Sequence, residues 1–124
     1  MKKIFVTRKL LKENEEKLQT IFAVKLNSDD KVYSATEIIE GSKDCDGILS
    51  SVTDPITSDT ISKFSEKIKI IANGAVGFGN IDFKEARKKG IAVTNTPDVL
   101  TDATADIQIL LLLGASRKAY EGRI

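Results

Sequence analysis

The fold class of this chain follows from one stretch, residues 68–97, whose sequence is IKIIANGAVGFGNIDFKEARKKGIAVTNTP. Apolar and β-branched residues dominate 68–72 and 91–94, which predicts two short strands. The charged segment 83–89 predicts a helix between them, separated from the first strand by glycines and asparagines. A strand, a helix and a second strand in this order form the repeating unit of an α/β fold.

Residues that favour helix ends mark the boundaries of several elements. Asp82 is a good N-cap for the helix just described, and Gly90 is expected to end it. Thr57 is a similar N-cap for an earlier helix. Gly41 is expected to stop the helix before that one.

The same alternation extends over the rest of the chain. Further strands are predicted at 4–6, 24–26 and 47–49, and further helices at 10–22, 35–40, 57–64 and 101–118. Repeated alternation of this kind implies a parallel sheet with right-handed crossovers and helices on both faces. The sequence therefore predicts a flavodoxin-like α/β domain, a doubly wound parallel sheet of five strands.

The last predicted helix, 101–118, does not suit a free-standing domain. It is apolar on nearly all sides, most of all at 109–113, and a helix of that kind needs cover on more than one side. The five-stranded sheet can cover only one side, so we expect a neighbouring domain or subunit; burial within this domain is the alternative. We expect residues 1–100 to form the sheet domain and 101–124 to lead into a missing one.

Composition excludes several classes of function. The net charge is +1, from 19 basic and 18 acidic residues, which gives no electrostatic reason to expect nucleic acid or an anionic membrane as a partner. The apolar run at 109–113 is too short to span a bilayer, and the N-terminus does not resemble a signal peptide. The chain has no histidine, and we expect no metal site. The single cysteine, Cys45, is interpreted as a small buried residue in a cytoplasmic protein.

Ligands of doubly wound sheets bind at the carboxyl ends of the strands, and a glycine-rich segment follows the fourth predicted strand. This segment, 73–79, reads NGAVGFG. Its glycines let backbone approach a ligand closely, and consecutive N–H groups can form an anion-binding nest that suits a carboxylate. Its glycine order is G-x-x-G-x-G, which is not the dinucleotide fingerprint. A purely structural turn is the alternative.

A second segment, 95–98, follows the fifth predicted strand and reads NTPD. It leads into the last helix, for which Thr101 or Asp102 can serve as the N-cap. A turn followed by a cap explains these residues equally well.

Taken together, these segments resemble a known family. Residues 70–118 resemble the end of the substrate domain of D-2-hydroxyacid dehydrogenases. The similarity rests on Gly74, 76–77, 80–82, 90–93, 95–97, 99–101, 104–105 and Arg117. It extends well over 44–118, whereas 1–43 matches only in pattern. The motif at 97–102 is most similar to the glyoxylate and hydroxypyruvate reductase branch.

The resemblance implies roles for particular residues. It implies substrate-binding roles for Ser51, Val52, Ala75, Val76 and Gly77, and cofactor contacts for Val76 and Thr104. Backbone amides of Val76 and Gly77 are expected to hold the substrate carboxylate. Thr104 is expected to face the nicotinamide. Gly79 and Asp106 depart from the family, which often has Asp and usually has Glu at those positions.

The resemblance also implies what this chain lacks. The catalytic arginine, glutamate and histidine of the family, and its G-x-G-x-x-G motif, come from the later, cofactor-binding Rossmann domain. Arg117 matches a family position but is interpreted as a helix-end charge. We therefore expect no catalytic residue in this chain and no activity from it alone.

The function implied by the resemblance is hydride transfer between NAD(P)H and a 2-keto or 2-hydroxy acid such as glyoxylate or hydroxypyruvate. The complete protein is expected to be a homodimer. A non-catalytic binding protein on the same scaffold, like the transcriptional co-repressors that resemble these dehydrogenases, is the alternative. A flavodoxin or phospho-receiver domain is disfavoured because Thr7-Arg8-Lys9 follows the first strand, where those proteins need a phosphate loop or acidic residues.

Overall fold

The computed structural model describes residues 1–122 of the chain as five strands that alternate with five helices. The strands are β1 (Lys3–Val6), β2 (Ala23–Lys25), β3 (Gly47–Ser50), β4 (Ile70–Asn73) and β5 (Ala92–Thr94). The helices are α1 (Lys12–Ile21), α2 (Ala35–Ser42), α3 (Ser58–Ser62), α4 (Phe83–Lys88) and α5 (Thr101–Ser116). All strand pairs are parallel, and their order is β2-β1-β3-β4-β5. The predicted flavodoxin-like, doubly wound sheet is confirmed.

One face of the sheet forms the core. Phe5, Ile48, Ile71 and Val93 are aligned across β1, β3, β4 and β5 by the strand register. They pack with side chains of α2, α3 and α4, including Ile38, Ile61 and Ala86. Fully burying one such aliphatic side chain contributes about 1.5–3 kcal/mol, so this row and its helix contacts account for much of the stability.

The other face of the sheet is less covered. Residues that alternate with the core row, such as Ile4, Leu49 and Ile70, point to this face. Together with Leu18 and Phe22 from the region of α1 they line an apolar cavity of about 500 Å³. The last helix, α5, has no buried residue, so the alternative of burial within this domain does not apply to it.

The exposed run on α5 agrees with the predicted need for a neighbour. The side chains of Ile109 to Leu113 are each 56 to 65% exposed. No helix within residues 1–122 is long and apolar enough to cross a membrane. At the end of α5, Arg117 is the C-cap, and its backbone N–H donates to the carbonyls of Leu113 and Ala115.

Three of the predicted helix ends are confirmed. The Thr57 hydroxyl accepts a hydrogen bond from the Thr60 amide, and the Asp82 carboxylate accepts one from the Glu85 amide. Gly90 adopts a φ of 71°, the left-handed conformation that glycine tolerates best.

Two predicted helix ends were wrong. Gly41 lies inside α2 rather than after it. The glycine is required there by a tertiary contact, because a Cβ would lie 2.6 Å from the Phe5 ring. The N-cap of α5 is Leu100, without a side-chain hydrogen bond, rather than Thr101 or Asp102. Both of those residues are already helical.

Candidate functional site

Three loops meet at the carboxyl edge of the sheet, where the parallel strands β3, β4 and β5 end. The register pairs Ser50 with Asn73 at the ends of β3 and β4, and Ala72 with Thr94 near the ends of β4 and β5. The loop after β4, residues 74–79 (the glycine loop), therefore lies between the loops that follow β3 and β5. The predicted residues Ser51, Val52, Ala75, Val76 and Gly77 all lie at this edge.

Three consecutive carbonyls of the glycine loop are held by neighbouring residues. The Ala75 carbonyl accepts from the Thr96 amide at 3.0 Å. The Val76 carbonyl accepts from Nδ2 of Asn95 at 2.8 Å. The Gly77 carbonyl accepts from Nδ2 of Asn73 at 2.9 Å. Each of these carbonyls therefore points towards the protein.

The held carbonyls orient the amides that follow them. The peptide bonds are planar, and none in residues 1–122 is cis, so each carbonyl and the next N–H point in opposite directions. The N–H groups of Val76, Gly77 and Phe78 consequently point away from Thr96, Asn95 and Asn73. None of these three amides donates to another group within residues 1–122. A series of free amides is the arrangement expected of an anion site.

The glycine loop leaves space for a ligand. Val76 to Gly79 are exposed, and a Cβ built on Gly77 or Gly79 would meet no atom within 4 Å. No glycine of this loop has a positive φ; Gly90 is the only described glycine that does. The loop thus presents its amides because its carbonyls are held, not through the left-handed residue of an αR-αL nest.

Asn73 connects the glycine loop to the loop after β3. Its side chain is buried, with 2% of the residue exposed. Its Oδ1 accepts a hydrogen bond from the Ser50 hydroxyl at 3.0 Å. Besides holding the Gly77 carbonyl, its Nδ2 donates to Oδ1 of Asn80 at 3.2 Å. Asn80 in turn donates to the carbonyls of Ser51 and Asp54, at 3.0 and 3.1 Å. The two loops therefore form one hydrogen-bonded unit.

Sequence reasoning missed Asn73, Asn80 and Asn95 as site residues. The signal that could have found them is an asparagine at the end of β4, in the loop after it and directly after β5. Asparagine is common in turns for local reasons, so only the register of β4 and β5 shows that these side chains bind across loops.

The predicted lining residues after β3 lie beside this unit. Ser51 is half-buried and donates its amide to Oδ2 of Asp54 at 2.7 Å, while Val52 is exposed. Asp54 is fully buried, and its Oδ1 has no hydrogen-bond partner within residues 1–122. Thr104 is exposed in the first turn of α5, and no hydrogen bond joins it to the glycine loop within those residues.

One charged side chain at the same edge, that of Arg8, is paired. The Arg8 guanidinium, which follows β1, forms a bidentate pair with Asp30 at 2.8 and 3.0 Å and reaches the Thr53 hydroxyl at 3.2 Å. This guanidinium, together with the Lys9 amide, holds the pKa of Asp30 well below its usual range. The pair connects the loops after β1 and β2 to the edge where the site lies.

The remaining candidates for chemistry do not form a site. No cluster of His, Cys, Asp or Glu in the described part of the chain could hold a metal ion. Cys45 is buried, and burial raises the pKa of its thiol, which makes the reactive thiolate scarce. Its interpretation as a structural residue agrees with this position.

Comparisons with known proteins point to a single family. The sequence model described as "D-isomer specific 2-hydroxyacid dehydrogenase, catalytic domain" matches residues 4–122. The chain is 44% identical to a glyoxylate reductase of Korarchaeum cryptofilum over 119 residues, which are 96% of this chain and 36% of that protein. The chain therefore spans about a third of the length of this relative.

Solved structures agree with the sequence match. A protein from Polaromonas sp. JS6 66, described as an NAD-binding D-isomer specific 2-hydroxyacid dehydrogenase, superposes with a TM-score of 0.88 at 36% identity. That match covers 98% of this chain and 38% of the other. The NADPH-dependent glyoxylate/hydroxypyruvate reductase of Sinorhizobium meliloti, in complex with NADP and malonate, superposes with a TM-score of 0.72 at 30% identity. It is covered over 39% of its length, and this chain over 98%.

Proposed function

This chain belongs to the D-isomer specific 2-hydroxyacid dehydrogenase family, and from that premise we propose that it is the substrate-binding part of an oxidoreductase. The complete protein transfers hydride between NAD(P)H and a 2-keto acid such as glyoxylate or hydroxypyruvate. Relatives named as glyoxylate reductases support this choice of substrate class.

One observation carries the proposal: the outward-facing amides of the glycine loop. The N–H groups of Val76 and Gly77, and that of Phe78 beside them, have no partner within residues 1–122. A carboxylate has two oxygens that can accept from neighbouring amides at once, and hydrogen bonds to a charged group are worth about 1.5–3 kcal/mol each. Holding the carboxylate there fixes the adjacent keto carbon at the edge of the sheet.

The chain's own role is to bind and orient the substrate. Ser51 and Val52 lie on the next loop of the same edge and line the space for the rest of the keto acid. The chain contains no histidine, so we assign the proton transfer that accompanies reduction to another part of the complete protein.

The cofactor contact is confined to the nicotinamide end. Val76 is 41% exposed at the edge of the site and offers an apolar surface to a ring, while Thr104 offers an exposed hydroxyl from α5. These residues fit such a contact, and the bound NAD or NADP supplies the hydride. The sequence has no G-x-G-x-x-G motif, so we assign the phosphates to the cofactor-binding domain of the complete protein.

The domain arrangement is part of the same proposal. Residues 1–100 form the substrate-binding domain, and the segment 101–124, of which 123–124 lie outside the described residues, belongs to the connection to the cofactor-binding domain. The exposed apolar run of α5 supports this division, because a neighbouring domain or the second subunit of a homodimer would cover it.

The proposal is tested by nuclear magnetic resonance of this chain labelled with ¹⁵N. Sodium glyoxylate is titrated against sodium chloride at equal ionic strength, and amide shifts are followed. Saturable shifts centred on Val76, Gly77 and Phe78 are expected. Shifts that match those caused by sodium chloride, or that centre on another surface, would contradict the proposed function.

A further inference from the structure

We propose that Asn95 is a positioning residue of this site: its side-chain amide holds the Val76 carbonyl and thereby directs the Gly77 N–H at the substrate carboxylate. The inference rests on the proposed function, since it concerns how the same amides are arranged. It assigns a role to a residue from a different loop, the one that follows β5.

The geometry of this contact is specific. Ala72 and Thr94 are register partners, so Asn95 leaves β5 beside the point where the glycine loop leaves β4. From there Nδ2 of Asn95 reaches the Val76 carbonyl at 2.8 Å. The peptide between Val76 and Gly77 is a rigid plane, so holding its oxygen also fixes the direction of its N–H.

The other two carbonyl contacts of the glycine loop differ from this one. The Ala75 carbonyl is held by a backbone amide, that of Thr96, which side-chain substitution does not remove. The Gly77 carbonyl is held by Asn73, a buried residue that also bonds Ser50 and Asn80. Asn73 is therefore part of the framework of the edge, and its replacement would disturb several loops.

Asn95 lacks such framework contacts. It is half-buried, and within residues 1–122 the hydrogen bond to Val76 is the one that its side chain makes. An asparagine in a turn commonly bonds its own backbone nearby, whereas this one bonds a carbonyl 19 positions earlier. The contact thus orders the glycine loop and contributes little to the rest of the fold.

The expected consequence of losing this contact is local. Without Nδ2, the 76–77 peptide can rotate, and the Gly77 N–H no longer stays directed at the ligand. The Val76 N–H keeps its direction, because its own peptide is held by Thr96. Loss of one hydrogen bond to a charged group corresponds to about ten- to a hundredfold weaker binding of the carboxylate.

The test repeats the glyoxylate titration on Asn95→Ala and Asn95→Leu. Leucine has nearly the shape of asparagine but no donor, and it adds no charge beside the carboxylate, so it serves if the alanine variant does not fold. Asn27→Ala is the matched control: Asn27 holds the carbonyls of Thr7 and Lys31 at 2.8 and 2.7 Å after β2. That variant should bind glyoxylate like the wild type while unfolding at a lower temperature.

Both Asn95 variants should bind glyoxylate about tenfold more weakly or worse, with the Gly77 amide no longer shifting and the Val76 amide still shifting. Unchanged affinity with a normal Gly77 response in a folded Asn95→Ala protein overturns the inference alone. A wild-type chain without a saturable glyoxylate response overturns the proposed function, and the inference with it.

Discussion

Self-association through α5 is the physical consequence of its exposed apolar run, and its strength can be worked out from the structure. The side chains of Ile109 to Leu113 are 56 to 65% exposed. Since fully burying such a side chain contributes about 1.5–3 kcal/mol, covering the exposed remainder contributes about 1 kcal/mol each. Two paired helices therefore gain about 10 kcal/mol if every one of these residues is covered, and about 5 if half of the surface is.

Association has a cost that must be set against this gain. Lost translational and rotational freedom costs at least about 4 kcal/mol, which leaves roughly 1–6 kcal/mol for a pair of chains. The dissociation constant of the isolated chain should thus be no tighter than about tens of micromolar. Sedimentation equilibrium and light scattering from micromolar to millimolar concentration would measure it.

Substitutions distinguish self-association through the α5 run from nonspecific association through other exposed apolar residues. Leu110→Lys together with Leu113→Lys places two charges on one side of the helix, and it should keep the chain monomeric throughout the concentration series. Val32→Lys is the control, because Val32 is 57% exposed but lies outside α5. A wild-type chain that stays monomeric at the highest concentration would refute pairing that covers the whole run, and association that survives the double substitution would refute the role of α5.

Three further predictions concern stability and activity. Gly41→Ala should lower the free energy of unfolding in urea by about 1–3 kcal/mol, because its Cβ would lie 2.6 Å from the Phe5 ring; Gly114→Ala meets no atom within 4 Å and should raise it by up to about 1 kcal/mol. Lys31 and the Ser34 backbone lower the pKa of Glu37 from 4.5 to about 2, so its contribution to stability is present above pH 4.5 and is lost as pH falls towards 2. Glu37→Gln should accordingly make the urea midpoint fall less over that range than it does in the wild type, and an equal fall would contradict the assignment. The chain of 124 residues should reduce neither glyoxylate nor hydroxypyruvate with NADH or NADPH, and cofactor oxidation above a blank would show that catalytic groups had been overlooked.

Sequence reasoning predicted the parts of the fold that depend on local signals. The caps at Thr57 and Asp82 are hydrogen bonds within one turn, and the positive φ of Gly90 is a local requirement, so all three could be predicted. Gly41 could not, because its reason is the Phe5 ring, which arrives from β1. A glycine inside a helix and one that ends it have the same sequence signature until the packing is known.

The candidate site divides in the same way. A glycine-rich loop after a strand is recognisable from the order of residues, and the family resemblance singled out Val76 and Gly77 within it. The contacts that direct their amides come from Thr96 and Asn95, in the loop that follows β5. They depend on strand register, which residue order alone does not determine.

The central claim is that the amides of the glycine loop bind the keto-acid carboxylate, and Gly77→Val tests it most directly. A Cβ at Gly77 meets nothing within 4 Å, so the variant should fold normally while its branched side chain fills the space beside the amides. Gly79→Val is the matched control, because a Cβ there is equally free of contacts.

The measurement is the steady-state kinetics of the complete enzyme with glyoxylate and NAD(P)H. Losing one hydrogen bond to the carboxylate costs about 1.5–3 kcal/mol, so the KM for glyoxylate should rise about ten- to a hundredfold in Gly77→Val. The KM for the cofactor should change little, and Gly79→Val should resemble the wild type. An unchanged KM for glyoxylate in a folded Gly77→Val enzyme would show that the loop is only a turn and would contradict the account.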